Sequence, residues 1–306
     1  MLQTPRLSQE RKDDMKDSLK SWVKIVRKYQ KPSTKKALWQ LTNTFLPFFG
    51  LWALMYISLD YSYWITVGLG ILNAFFLVRI FIIQHDCGHQ SFIKSRAWNN
   101  VLGFTCSIFS LMPYKYWARS HSLHHSHNGQ LENRDLGDIT VLTVNEYLAL
   151  SPFKRFTYRI YRSPLSLFLI GGLYYILIHN RLPLLNFKRW DKYKISLIWS
   201  NLATVGVYAL MCWALGWKEF FMVQIPITIL FSITALWFFY VQHQHENAYK
   251  QWKENWDYLT AAVKGSTYYK LPRVITWLTG NIGYHHIHHL SSLIPNYNLA
   301  KCNREN

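Results

Sequence analysis

Residues 63–89 read YWITVGLGILNAFFLVRIFIIQHDCGH, a run in which Arg79 is the only Lys, Arg, Asp or Glu before Asp86. A helix needs about 20 apolar residues to cross the hydrocarbon core of a bilayer. Tyr63 to Ile83 therefore predicts a span, and His85 and His89 fall just past its end. Three more stretches meet the same criterion: Leu41 to Ser58 (LTNTFLPFFGLWALMYIS), Ile195 to Gly216 and Phe220 to Val241. Two shorter apolar runs, Val101 to Pro113 and Leu167 to Ile178, are expected in the interface or inside the protein. A water-soluble bundle of buried helices is the competing reading. It is set aside because helices apolar on every side belong to membranes or very large cores.

Charge gives the topology. The formal net charge is +18, with 50% hydrophobic and 17% aromatic residues, a balance that fits nucleic-acid binding or a membrane protein with its basic residues on one side. Placement decides for the membrane: 11 of the 34 Lys and Arg precede residue 41, most others lie in segments that also carry histidines, and the stretches between are almost uncharged. No nucleic-acid partner is expected. The connection LDYS (59–62) has no Lys or Arg, and WKE (217–219) has only Lys218. By the positive-inside rule these turns are non-cytoplasmic, so both termini and residues 84–194 and 242–306 are expected in the cytoplasm. Arg79, near the cytoplasmic end of its span, is expected to snorkel to the headgroups.

The first 30 residues are charged and lack the apolar core of a signal peptide, so none is expected. Met15, Leu19, Trp22, Val23, Val26 and Tyr29 recur at helical spacing among lysines and predict an amphipathic helix. Two placements stay open for it: on the anionic leaflet, or on the cytoplasmic part of the protein itself. Pro32, Ser33 and Thr34 mark a break, which divides a basic segment 1–40 from a membrane domain 41–306. The four cysteines show no paired spacing and are expected as free thiols, with Cys87 a small packed residue.

Twelve of the 13 histidines fall in four clusters: HDCGH (His85, His89), HSLHHSH (His121, His124, His125, His127), HQH (His243, His245) and HHIHH (His285, His286, His288, His289). Residues four apart share a helix face, so His85 and His89 can approach one ion. In each HxxHH copy the adjacent pair diverges by about 100°, so His124 and His125, like His288 and His289, can address different ions. All four clusters emerge on one side of the predicted membrane. The fold expected is an all-α integral membrane protein, four spans with a cytoplasmic helical cap carrying a polyhistidine dimetal site. Imidazole suits Zn, Cu, Ni and Fe, so spacing leaves the ions open. Asp86, Asp138 and Glu246, and Asn281 one turn before His285, could orient a ligand; each is expected as a surface or capping residue. A metal transporter would carry ionisable groups within several spans, and apart from Arg79 these have almost none.

HDCGH, HSLHH and GYHHIHHL, in that order, resemble the boxes of the membrane fatty-acid desaturases. RIFIIQHDCGHQSF, LTVNEY, FYVQH and LTGNIGYHHIHHL followed by PNY are similar to bacterial acyl-lipid desaturases of the delta-12 and delta-5 types, over roughly residue 40 to the end. The resemblance implies that His85, His89, His121, His124, His125, His285, His288 and His289 hold two irons, with His243 as a ninth ligand. It implies O2-dependent formation of a cis double bond in a membrane-lipid acyl chain, in a bacterial cell membrane. A related hydroxylase or ketolase could use the same ligand set. The chain carries no iron-sulfur cysteine set and no dinucleotide fingerprint, so electrons are expected from a separate ferredoxin or flavodoxin. Seventeen residues follow His289, fewer than is usual in that family; if the longer tail of relatives helps cover the site, impaired activity is expected even with every ligand present.

Overall fold

The computed structural model describes residue 17 and residues 21–135, 137–184 and 191–306. Among these there is no β-strand, and four helices are long and apolar enough to cross a membrane: α1 (Thr34–Ser58), α2 (Tyr63–Gly88), then Asp191–Leu215 and Trp217–His243. Ser33 caps α1, its side chain accepting from Lys36 N at 3.4 Å. The helix thus starts seven residues before the predicted span, because Thr34–Gln40, with Lys35 and Lys36, adds about two turns ahead of the apolar run. Met15 and Leu19 lie outside the described residues. Residues 21–26 are helical and end in a turn at Arg27–Tyr29. Of the two placements left open, Val26 and Tyr29 take the second: they pack on Ile294, Leu299 and Cys302 at the other end of the chain.

α2 lies at the centre, against α1, α3 (Arg96–Ser110) and the last span. Polar groups along it find partners inside the protein, where lipid offers none: Thr66 Oγ1 lies 2.7 Å from Ser58 Oγ, and Asn73 Nδ2 reaches Met55 Sδ. Arg79 corrects the snorkelling expectation. It is buried; its guanidinium donates to Thr44, Asn43 and the Trp277 carbonyl and lies 3.9 Å over the Trp277 ring. Those partners satisfy the charge where it stands, so it need not reach the headgroups.

α4 (Tyr114–His127) follows α3. Beyond it, α5 (Pro152–Tyr161) joins a π-helical turn, Leu165–Gly171, that leads into the stretch ending at Arg181; the two halves are bent by 60°. Arg181 donates to Asn201 and Thr204 of α6 (Asp191–Leu215). Asn201 lies about 15 Å along α6 from its start, so the stretch ending at Arg181 reaches into the bundle beside α6 and packs on α7 (Trp217–His243). The close approach depends on Gly172, where a Cβ would meet the Ser232 carbonyl oxygen at 2.8 Å.

α6 leaves Ile198, Leu202 and Val205 exposed, a face that lipid covers and water does not. At the two turn ends Tyr61, Trp64, Trp213 and Trp217 are all exposed, the aromatic belt of a membrane interface. Opposite this belt stand the histidines. The four cysteines are free, and Cys87 is fully buried in the core, as expected.

Candidate metal centre

α2 continues past its apolar part to deliver His85, and His89 caps it. Gln90, at φ 60°, then turns the chain away. α4 supplies His121, His124 and His125, α7 ends on His243, and a short helix α8 (His285–Leu290) brings His285, His288 and His289. Four elements distant in sequence thus meet at one end of the bundle.

The rings sort into two groups. His85, His89, His121, His125 and His288 have nitrogen atoms all within 4.8 Å of one another, as do His124, His243 and His289. His285 adjoins the second group, its Nε2 2.9 Å from His243 Nε2 and 3.1 Å from His289 Nε2. Nε2 separations of 3.0 Å join His125 to both His121 and His288, and 3.1 Å joins His124 to His243. Two nitrogens each about 2.1 Å from one ion and about 90° apart stand about 3.0 Å from each other. The spacing therefore fits metal-ion cages, and both groups could hold an ion.

Burial keeps most of these imidazoles neutral. Burial, and then the neighbouring imidazoles, push His89, His121, His125, His285, His288 and His289 well below the usual histidine range. Burial lowers His124 to about 4, with Asp138 opposing. Neutral rings offer lone pairs. His243 Nδ1 lies 3.2 Å from the Gly265 carbonyl, which can only accept, so the ring proton belongs on Nδ1 and the lone pair on Nε2, facing the group.

His127 turns to the Leu123 carbonyl, His286 lies beside Tyr268, His179 stacks on Tyr175, and His245 belongs to neither group. Of the carboxyl groups, Glu246 is exposed. Asp138 is paired with Lys250 at 3.5 Å beside a small polar pocket against His124. Asp86 is no surface residue: it is buried, with Oδ1 3.1 Å from His85 Nδ1. Asn281 is directed to the Asn296 carbonyl. Spacing gave no sign of Gly265 or Asn296; PNY, in which Asn296 stands, was the nearest signal.

An apolar cavity of about 260 Å³ reaches His85, His121 and His285. Gln242 and Phe231 of α7 both line it, eleven residues or about 16 Å apart along the helix. One leaflet of hydrocarbon is about 15 Å deep. Two of the lining residues are thus set apart by about the depth of one leaflet, and the same cavity touches the histidines.

Fold and site together define a helical integral membrane protein with a polyhistidine cluster that could hold metal, set beside an apolar cavity. The sequence model of the family described as "Fatty acid desaturase" matches residues 62–306. A "Fatty acid desaturase" of Bacillus subtilis is 48% identical over 280 residues, 92% of this chain and 79% of the relative. The chain belongs to the fatty acid desaturase family. More distant relatives in Synechocystis sp. are an "sn-1 oleoyl-lipid 12-desaturase", 26% identical over 245 residues (77% of this chain, 65% of the relative), and an "sn-1 acyl-lipid omega-3 desaturase (ferredoxin)", 25% identical over 228 residues (72% and 62%). The chain spans less than two thirds of those two.

Proposed function

We propose that the protein desaturates an acyl chain of a membrane lipid, using O2 and electrons from a separate ferredoxin or flavodoxin, with the histidine end facing the cytoplasm. The observation that carries the reading is the apolar cavity lined in part by both sets of histidines: His85 and His121 belong to the first group, His285 adjoins the second. His85, His89, His121, His125 and His288 would hold one iron, and His124, His243, His285 and His289 the other. Bound there, two irons supply O2 activation and hydrogen removal from the chain. One O2, two electrons, two protons and the two hydrogens leaving a –CH2–CH2– unit yield a double bond and two waters.

The protein's own part is positioning. Trp117 and Phe231 wall the cavity, so the chain is held in an apolar slot, and burial of the imidazoles excludes water from the reacting carbons. The LDYS turn, which has no Lys or Arg, and the WKE turn, which has only Lys218, support the orientation. The basic residues on the histidine side favour an acidic electron donor.

The test is expression in a host without polyunsaturated lipids, with double bonds located by mass spectrometry. New double bonds in lipid acyl chains are expected, and His288→Ala should abolish them while the protein still inserts. An unchanged lipid profile with iron and donor present, or a hydroxylated product in place of an alkene, overturns the reading.

A further inference from the structure

Asp86 has two buried oxygens with different duties. Oδ1 faces His85 Nδ1 at 3.1 Å. Oδ2 accepts twice from Asn296, from its backbone N at 2.6 Å and its Nδ2 at 2.8 Å. Asn296 opens the ten-residue helix α9 (Asn296–Glu305), so its N–H is one of the donors a helix leaves free at its start. Its own Oδ1 accepts from Gln40 Nε2 of α1 at 3.0 Å. With Oδ1 turned to Gln40, Nδ2 must face Asp86. All four residues, Gln40, Asp86, Asn296 and His85, are buried.

We propose that Asn296 is a positioning residue for the first histidine group: by fixing Asp86 Oδ2 it turns Oδ1 onto His85 Nδ1, which sets the tautomer and ring orientation that offer Nε2 to the group. The proposal rests on the reading of these groups as metal-binding. A ligand imidazole held by a carboxyl is a stronger and better aimed donor. The second group is held otherwise. His243 Nδ1 is paired with the Gly265 carbonyl, and His285 Nδ1 is buried without a partner. The chain Gln40, Asn296, Asp86, His85 therefore acts on one of two metal positions.

That one-sidedness is the readout. Full-length protein in detergent, loaded with 57Fe, should give two iron environments by Mössbauer spectroscopy. Asn296→Asp sets a second carboxyl against Asp86. It is expected to shift one environment only, and to weaken the iron in it about 10- to 100-fold in chelator competition. Asn296→Ala keeps the backbone donor and Gln40→Leu frees the Asn296 amide; each should shift the same environment by less. These two decide the matter if Asn296→Asp does not fold. Equal shifts in both environments, or none in any folded variant, overturn the proposal. Wild-type protein that binds fewer than two irons overturns instead the metal reading beneath it.

Discussion

His124 and His125 follow one another in α4, yet their rings stand at 85° to each other and face different partners. His124 Nε2 lies 3.1 Å from His243, and His125 Nε2 lies 3.0 Å from His288. One turn of backbone thus serves both groups. His124→Ala and His125→Ala are each expected to cut product formation at least ~100-fold, since they remove a ligand where loss of an outer partner alone costs about 10- to 100-fold. Metal analysis of the purified variants separates them: each should keep the ion of the group it does not touch.

The metal-free centre should be sensitive to acid. His124 is held at about 4 by burial, against about 6.5 in an unfolded chain. Between those values the unfolded chain binds a proton that the folded one refuses, so stability rises with pH across this window and is lost as pH falls through it. Going from about pH 7.5 to about 5.5 should cost metal-free protein about 1 kcal/mol through His124 alone. Its neighbours, lowered in the same direction, add to this. Thermal unfolding in detergent measures the fall, and His124→Gln should flatten the slope.

Gly172 lets the stretch ending at Arg181 touch α7. Gly172→Ala would set a methyl group 2.8 Å from the Ser232 carbonyl oxygen, an overpacking that costs about 1–3 kcal/mol. The expected result is a lower unfolding temperature, with reduced activity because Gly172 and Ser232 also line the cavity.

Ala235 lines the same cavity, about 10 Å along α7 from Gln242. Ala235→Phe should shorten the usable depth. Long acyl chains are expected to lose at least ~10-fold in conversion relative to short ones, read by competing lipids of different chain length against the enzyme. An unchanged preference would show that the chain lies elsewhere.

The four spans were legible because a bilayer imposes a length, and runs such as Tyr63 to Ile83 meet it with hardly a charge. The division of His124 from His125, and of His288 from His289, was legible because a helix turns a fixed angle per residue. Arg79 was not: its partners are Thr44, 35 residues away, and Trp277, 198 residues away, and no local pattern reports such neighbours. Asp86 was misjudged for the same reason. Its partner Asn296 is 210 residues distant, and a carboxyl group beside a histidine carries no mark of being buried until the last helix covers it. The run Leu167 to Ile178 was read as too short to cross on its own, and no local pattern reported its bent partner Pro152–Tyr161 or the contact of Arg181 with Asn201.

The two ends of the described chain are tied together by hydrogen bonds: Tyr29 to Glu305, Gln30 to Ser291, Ser33 to Tyr297, Lys36 to Asn298 and Gln40 to Asn296. Synthesis runs in one direction, and early segments fold before late ones exist. When α7 has entered the membrane, six of the nine histidines that make up the two groups, with His285 counted among the nine, are already made; residues 285–305 arrive afterwards and cover them. The cover over the histidine end is thus the last part of the protein to be made, and a chain halted short of Asn296 is expected to insert in the membrane with Asp86 and His85 left open to water.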